Sequence, residues 1–406
     1  MTILLGDNII SALGFTTEEN YRNVKRGVSG LHFLADRYRL PEPFMASEID
    51  DVRLNGAFEK ILLEFSANAG KDKNGEHPEA SRMTPAGHPN YSKLEKASIV
   101  SVAGALKGSG IDPSGRDVLF ILSTTKGNIF LLNENGQEGY GQDQLYLWRS
   151  AELTARFFGN SNRPLVVSSA CISGASAIIA AQRELRSKRY DYVIVVGADV
   201  LSEFIVTGFQ SFKALSREVC KPFDANRTGL NIGEAVATLV MTECPDDKVG
   251  NGNIAFTAGA VRNDANHISG PSRTGEGACL ALRKVLEGID PDEIAFVCAH
   301  GTATLYNDEM ESIALTCAGL QHTPVNSLKG YYGHTLGAAG VMESIISVHA
   351  LKDGTILKTY GFETLGVTNP LDIVTENRNT AKRYCIKMLS GFGGCNVAVL
   401  FAEIMR

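Results

Sequence analysis

Val166-Val167-Ser168-Ser169-Ala170-Cys171-Ile172-Ser173-Gly174 joins the end of an apolar β-run to the start of an alanine-rich helix. A thiol at such a junction faces unpaired N–H groups and the positive end of the helix dipole, which favour the thiolate. Alone, one cysteine in apolar surroundings reads as an inert core residue. Only partners elsewhere in the chain can make Cys171 a nucleophile.

Outward from this stretch, short apolar runs alternate with longer helical segments. Strands are predicted at 118–123, 165–168, 192–197, 235–241, 254–258, 294–299 and 397–402. Helices are predicted at 94–107, 173–187, 278–287, 308–317 and 338–351. That alternation indicates α/β architecture with mixed or parallel sheets. Pro245–Asn253 is polar, with two glycines and a proline, and reads as a linker between halves 1–247 and 248–406. In each half a strand leads through a small-residue turn into an apolar helix, at Ala170-Cys171 and again at Gly333-His334. This pattern suggests an internal duplication. Asn68–Tyr91, rich in Lys, Gly, Pro, Asn and His, has no periodicity and reads as a surface loop or a lid.

A chain of 406 residues exceeds an ordinary single-core domain and suits two core units. With 44% hydrophobic and 21% charged residues it can bury a large core. A net charge of −6 argues against a nucleic-acid partner, since such proteins are more often basic. Serines interrupt the apolar stretch around Cys171, so no membrane span is expected. Met1–Phe15 has no basic n-region or cleavage site, so no secretory signal is expected either. Eight scattered cysteines without a C-x-x-C pair favour reduced thiols and a cytoplasmic setting.

Three further segments supply partners for Cys171. His300-Gly301-Thr302-Ala303-Thr304 follows an apolar strand, a usual place for a functional histidine. Asn307-Asp308 is expected to cap the next helix, with Glu311 three residues after Asp308. Lys329-Gly330-Tyr331-Tyr332-Gly333-His334 precedes small residues at 337–340, which allow close backbone packing. A lysine in that apolar turn is expected to have a carboxylate partner. Gly391-Phe392-Gly393-Gly394-Cys395-Asn396 is a glycine-rich turn whose N–H groups can approach a ligand. Two histidines without a closed carboxylate or thiolate set do not make a metal site.

Taken in order, these motifs resemble the β-ketoacyl-acyl-carrier-protein synthases of the thiolase superfamily. Ser11-Ala12-Leu13-Gly14, Gly27-Val28-Ser29-Gly30 and Lys221-Pro222-Phe223-Asp224 with Arg227 and Gly229 extend the likeness from about residue 10 to the end. The two histidines match the elongating, Cys-His-His type. The resemblance implies a thiolase-like five-layer αβαβα fold with two pseudo-duplicated halves. It implies decarboxylative condensation of an acyl thioester with malonyl-acyl-carrier protein, in fatty-acid, polyketide or polyene synthesis. Cys171 would be the nucleophile; His300 and His334 would act on malonyl, with Lys329 in the catalytic set. Cys171, Phe392 and Gly393 would form the oxyanion hole and gate. Asp308 would support His300, and Glu311 would pair with Lys329. Thr302 and Thr304 would bind phosphopantetheine. No tightly bound cofactor is implied. The partners implied are acyl carrier protein and a second subunit, in a homodimer or a heterodimer with a related synthase-like chain. A thiolase and a non-catalytic chain-length-factor subunit are the alternatives. Leu305, Ala303 and Cys395 depart from the family's usual Pro, Ser and Thr and suggest a specialised branch.

Overall fold

The computed structural model describes residues 1–35, 43–69, 90–133 and 139–405. Ten strands form one twisted sheet that divides into two runs of five. In the first half the strands are Thr2–Ser11, Val118–Ser123, Leu165–Val167, Tyr192–Asp199 and Ala235–Glu243. They lie in the spatial order third, second, fourth, fifth, first. The second half uses Ile254–Asn263, Ile294–Cys298, Val325–Asn326, Tyr384–Gly391 and Cys395–Glu403. These repeat the same order. The senses repeat too: third, second and fourth strands are parallel, and the fifth and first antiparallel to their neighbours. The halves join where Thr2 and Ile3 pair with Phe256 and Ala255. The duplication suggested by the two strand–turn–helix units is thus a property of the whole sheet.

Strands Val118–Ser123, Tyr192–Asp199 and Ile294–Cys298 are buried almost throughout, so they read as continuous apolar runs, whereas the edge strand Leu165–Val167 is partly exposed. Helices Ser173–Arg186 and Ala339–Lys352 lie between the two sheet halves and contact strands of both. Outer helices cover the remaining faces: Lys93–Leu106 on the first half and Glu276–Val285 on the second. The result is five layers, αβαβα, with the largest core cluster around the central pair.

That pair meets at glycines. A Cβ on Gly340 would stand 2.2 Å from the Ala175 nitrogen, and one on Gly174 would stand 2.7 Å from the Val341 nitrogen. No side-chain rearrangement relieves a clash with backbone. Gly340→Ala is therefore expected to destabilise by about 3 kcal/mol or more, at the upper end of overpacking. The shift should be read from the midpoint of urea unfolding; an unchanged midpoint would show that the contact tolerates separation. This contact sets the distance between the turn before one helix, which carries Cys171, and the turn before the other, which carries His334.

Some expectations shift. The Cys171 strand ends at Val167, and the linker between halves contains a 3-10 turn, Asp246–Lys248. Asn68 closes helix Asp51–Ala69 rather than opening a loop; residues 70–89 lie outside the described residues. Tyr91 is buried and packs against Phe58 and Phe157. Cys279 and Cys317 form a disulfide, against the expectation of reduced thiols throughout. They lie 38 residues apart on two adjacent helices, Glu276–Val285 and Leu305–Cys317, a neighbourhood that spacing does not disclose. Among the described residues no helix is long and apolar enough to cross a membrane.

Candidate active site

The chain turns sharply between strand Leu165–Val167 and helix Ser173–Arg186. Ala170 takes φ +47°, a left-handed conformation costly for a residue with a Cβ. Ser173 holds the turn: its Oγ accepts from the Ser169 N–H at 2.8 Å and donates to the Ala170 carbonyl at 2.6 Å. Cys171 is thereby presented before the first helical turn, 8% exposed. Burial pushes its thiol up to about 12, and the neighbouring Cys395 thiol acts the same way; Lys329 and the Phe392 N–H oppose them. The thiolate expected from the helix dipole is therefore not the resting form. Desolvation outweighs a dipole whose helix begins two residues later.

His300 follows strand Ile294–Cys298 and is anchored through its backbone. The carboxylate of Glu311 accepts from the His300 and Gly301 N–H groups, both at 2.7 Å, and from Asn307 at 2.8 Å. Asp308 accepts from Thr302 N–H at 3.0 Å and Phe223 N–H at 2.7 Å. Helix Leu305–Cys317 begins before Asp308, so neither Asn307 nor Asp308 caps it. Asp308 and Glu311 instead lie inside the helix, fully buried, and tie down the loop that carries the histidine. Burial raises Asp308 to about 6; burial and then the Asp308 charge raise Glu311 to about 7. Thr302 and Thr304 share a hydroxyl hydrogen bond of 2.9 Å and both line the cavity.

His334 follows a single helical turn, Lys329–Tyr332, and Gly333 at φ +69°. Its own N–H donates to the Asn231 carbonyl at 2.7 Å. Its Nδ1 accepts the Leu336 N–H at 3.3 Å, so in the neutral ring the proton sits on Nε2. That Nε2 is buried without a partner. The two imidazoles lie edge to face, 4.9 Å between centroids. Burial first, then Lys329, holds both well below the ordinary histidine range, so both are neutral at physiological pH. One ring nitrogen of each histidine and the Cys171 sulfur all lie within 4.8 Å of one another.

Lys329 does not pair with Glu311. Its ammonium binds Glu343, in the central helix Ala339–Lys352, and both side chains are completely buried. Glu311 is occupied by backbone N–H groups on the far side of His300, whereas Glu343 lies fourteen residues beyond the lysine. A second lysine, Lys387, reaches the same carboxylate at 2.5 Å. Nothing in the sequence reading marked Lys387; a lysine between Ile386 and Met388 reads as the solvent side of a strand. Lys329 lies outside the cavity lining and supports the turn below His334.

The turn between the last two strands closes the site. A Cβ on Gly391 would lie 3.0 Å from the Cys395 sulfur and 3.2 Å from the Cys171 nitrogen, so the glycine lets this turn pack close against Cys171. Phe392 stacks on Phe209, 6.0 Å between centroids, and meets Phe212 edge-on at 5.6 Å. The Gly393 N–H donates to the Ile268 carbonyl at 2.7 Å. It is committed there, which removes Gly393 from the expected oxyanion donors and leaves the amides of Cys171 and Phe392. The cavity beneath Phe392 encloses about 480 Å³, with Cys171, His300, His334, Thr302 and Thr304 on its walls. Cys395 turns its thiol to the Phe392 carbonyl at 3.3 Å.

Comparison with known proteins follows this geometry. The β-ketoacyl synthase N-terminal domain matches residues 5–246 and the C-terminal domain matches residues 255–363. A putative mitochondrial 3-oxoacyl-[acyl-carrier-protein] synthase of Schizosaccharomyces pombe is 27% identical across 100% of this chain and 99% of its own length. A mitochondrial 3-oxoacyl-[acyl-carrier-protein] synthase of Arabidopsis thaliana is 33% identical over 58% of this chain and 55% of its own. Among solved structures, the Xenorhabdus doucetiae complex of the ketosynthase ApeO with its chain length factor ApeC superposes with a TM-score of 0.83. It is 25% identical and covers 99% of this chain and 98% of that one.

Proposed function

The chain belongs to the β-ketoacyl synthase family, and on that footing we propose that it catalyses decarboxylative condensation on acyl carrier protein through an acyl-Cys171 intermediate. One observation carries the reading: a buried thiol shares a cavity floor with two neutral imidazoles, one of which aims an unpartnered Nε2–H into the site. Neutral N–H donors suit an oxygen on which negative charge develops. The same three groups would make a poor cation site, because two lysines lie buried beneath them.

Cys171 attacks the acyl thioester; its proton leaves with the carrier thiol, and the acyl group stays on sulfur. The Cys171 and Phe392 amides face the oxyanion. Malonyl-carrier protein then enters. As CO2 departs, the electron pair of the broken C–C bond passes into an enolate whose oxygen is held by His334 Nε2–H and His300. The enolate carbon bonds to the acyl carbonyl carbon. The C–S bond to Cys171 breaks, giving β-ketoacyl-carrier protein and, after protonation, the thiol. Thr302 and Thr304, on the cavity wall, would hydrogen-bond a phosphopantetheine arm, and no tightly bound cofactor enters the scheme. The structural units doing this work are the halves 1–247 and 248–406, the first with the thiol and the second with both histidines.

A cytoplasmic dimer is part of the proposal. The short edge strand Leu165–Val167 leads directly into Cys171 and is open on one side, as suits pairing with a second copy or a synthase-like subunit. Cys395 lies close to Cys171, and the thiolase alternative loses support instead from His334, which stands with His300 beside the Cys171 sulfur. The chain-length-factor alternative loses support from the intact thiol and histidines.

The test is intact mass spectrometry with acyl-loaded and then malonyl-loaded carrier protein. An acyl adduct mapping to Cys171, followed by a product heavier by a C2 unit and released CO2, is expected. Condensation of acyl-CoA alone, without CO2, would replace this reading with a thiolase.

A further inference from the structure

Lys387 is fully buried in strand Tyr384–Gly391, whose end turns into Phe392. An isolated buried ammonium is expensive, so its contacts must compensate. It donates to the Ala299 carbonyl at 2.8 Å and the Cys298 carbonyl at 3.2 Å, and it reaches the Cys298 sulfur at 3.6 Å. Its fourth contact is the Glu343 carboxylate at 2.5 Å. Lys329 already pairs with that carboxylate. Two lysines thus share one directly bonded glutamate, while the Glu311 carboxylate, held by backbone N–H groups, acts on Lys387 from further off. An apolar residue would fill the position without any desolvation cost. The second cation beside Glu343 therefore needs a reason beyond stability.

We propose that Lys387 is a positioning residue for the condensation chemistry: it fixes the Ala299 carbonyl, one residue before His300, and supplies a second positive charge beneath the two imidazoles. The proposal rests on the condensation reading. The cation works twice. It bridges the strand ending at His300 to the helix whose Glu343 holds Lys329, and so locks the two histidine-bearing segments together. It also favours negative charge above it, where the enolate forms. Among the described residues, the charged or titratable groups around the imidazoles include Lys329, Lys387 and Glu343 below, Asp308 and Glu311 behind His300, Arg227 near Asp308, Asp199 on the Gly337 side, the Cys171 and Cys298 thiols, and Lys213, Asp264, His267 and Tyr306 on the cavity walls. Burial, Lys329 and Lys387 all push the histidines toward the neutral form.

The experiment follows malonyl-carrier-protein decarboxylation against pH for wild type, Lys387→Met and Lys387→Arg, with acylation of Cys171 measured alongside by intact mass. A cation beside an imidazole lowers its pKa, and the reactive form is neutral, so rate is lost as pH falls through that pKa. In wild type the acid limb is expected well below pH 6.5. In Lys387→Met the limb should move to higher pH, and decarboxylation on the plateau above it should fall about tenfold because the enolate loses the cation beneath it. Acylation should stay unchanged, and Lys387→Arg should keep the wild-type limb. A Lys387→Met protein that decarboxylates at the wild-type rate with an unmoved limb overturns the proposal. If that variant does not fold, Lys387→Gln, which keeps a donor for the Ala299 carbonyl without the charge, decides: an unmoved limb with wild-type decarboxylation overturns the proposal, and a limb moved to higher pH supports it. A wild-type enzyme that never decarboxylates malonyl-carrier protein overturns the condensation reading instead, and this proposal falls with it.

Discussion

Cys171→Ser is expected to lower condensation by a factor on the order of 10⁴ or more, while malonyl decarboxylation survives. The replacement is nearly isosteric, so the cavity persists. What changes is the proton. Burial already pushes the thiol up to about 12, and an alcohol in its place is a far weaker acid. A serine can act only with a base, and His334 cannot provide one. Its Nδ1 is committed to the Leu336 N–H, so its Nε2 faces the cavity as a donor. The converse variant, His334→Ala, should keep Cys171 acylation and lose decarboxylation by about 10²–10³, the usual cost of removing one oxyanion donor. Intact mass reads the first step and CO2 release reads the second. Loss of both steps in either variant would mean that thiol and imidazole act as one unit, and the division of labour proposed here would be abandoned.

That division was visible in the sequence only in part. Cys171, His300 and His334 each follow an apolar strand or a glycine turn, so local pattern placed them, and their order completed the set. Strands Val118–Ser123 and Tyr192–Asp199 were legible because parallel strands buried on both faces give uninterrupted apolar runs. Strand Tyr384–Gly391 was not found, because Lys387 interrupts its run. The same residue that hid the strand is the one the structure makes most informative. First-half elements such as Thr2–Ser11, Asp51–Ala69 and Leu147–Phe157 were missed for a related reason. Polar residues break their apolar runs; in Thr2–Ser11 the residues Thr2, Asn8 and Ser11 are buried in hydrogen bonds to partners outside the strand that one sequence does not display. The pairing of Lys329 with Glu343 instead of Glu311 is a tertiary fact. Both glutamates lie on helices close to His300 or His334, and only the three-dimensional fold shows which carboxylate faces the ammonium. Asp308 looked like a cap because Asn-Asp before a helical pattern usually is one. The helix starts earlier, at Leu305, so Asp308 points back at the loop instead of closing the helix end. The thiolate expectation failed because dipole and burial oppose each other, and burial cannot be read from spacing.

The largest stability effect is expected at Glu343. Glu343→Ala strands the ammonium groups of Lys329 and Lys387 in a fully buried site. Removing one partner of a buried pair costs about 3–5 kcal/mol, because the remaining charge keeps its desolvation penalty and loses its counter-ion. Two stranded cations put this variant at the upper end of that range, read as a lowered midpoint in urea unfolding. Acid should erase the difference. Burial raises the Glu343 pKa, but the two lysines outweigh it and hold the folded value below the ordinary 4.5. Its stabilisation is therefore present above the unfolded-state value and is lost as pH falls through the folded one. Wild type and Glu343→Ala should thus converge only at pH below 4.5, as Glu343 takes up its proton in the folded state. The triple variant with Lys329, Glu343 and Lys387 all replaced by methionine separates stability from function. Without buried charge it should regain most of the lost stability, since apolar replacements of buried ion clusters are often neutral or better. It should still decarboxylate poorly, because no cation remains beneath His300 and His334. A triple variant with full activity would reduce the cluster to packing; one that stays as unstable as Glu343→Ala would show that these lysines hold the fold by more than their charge.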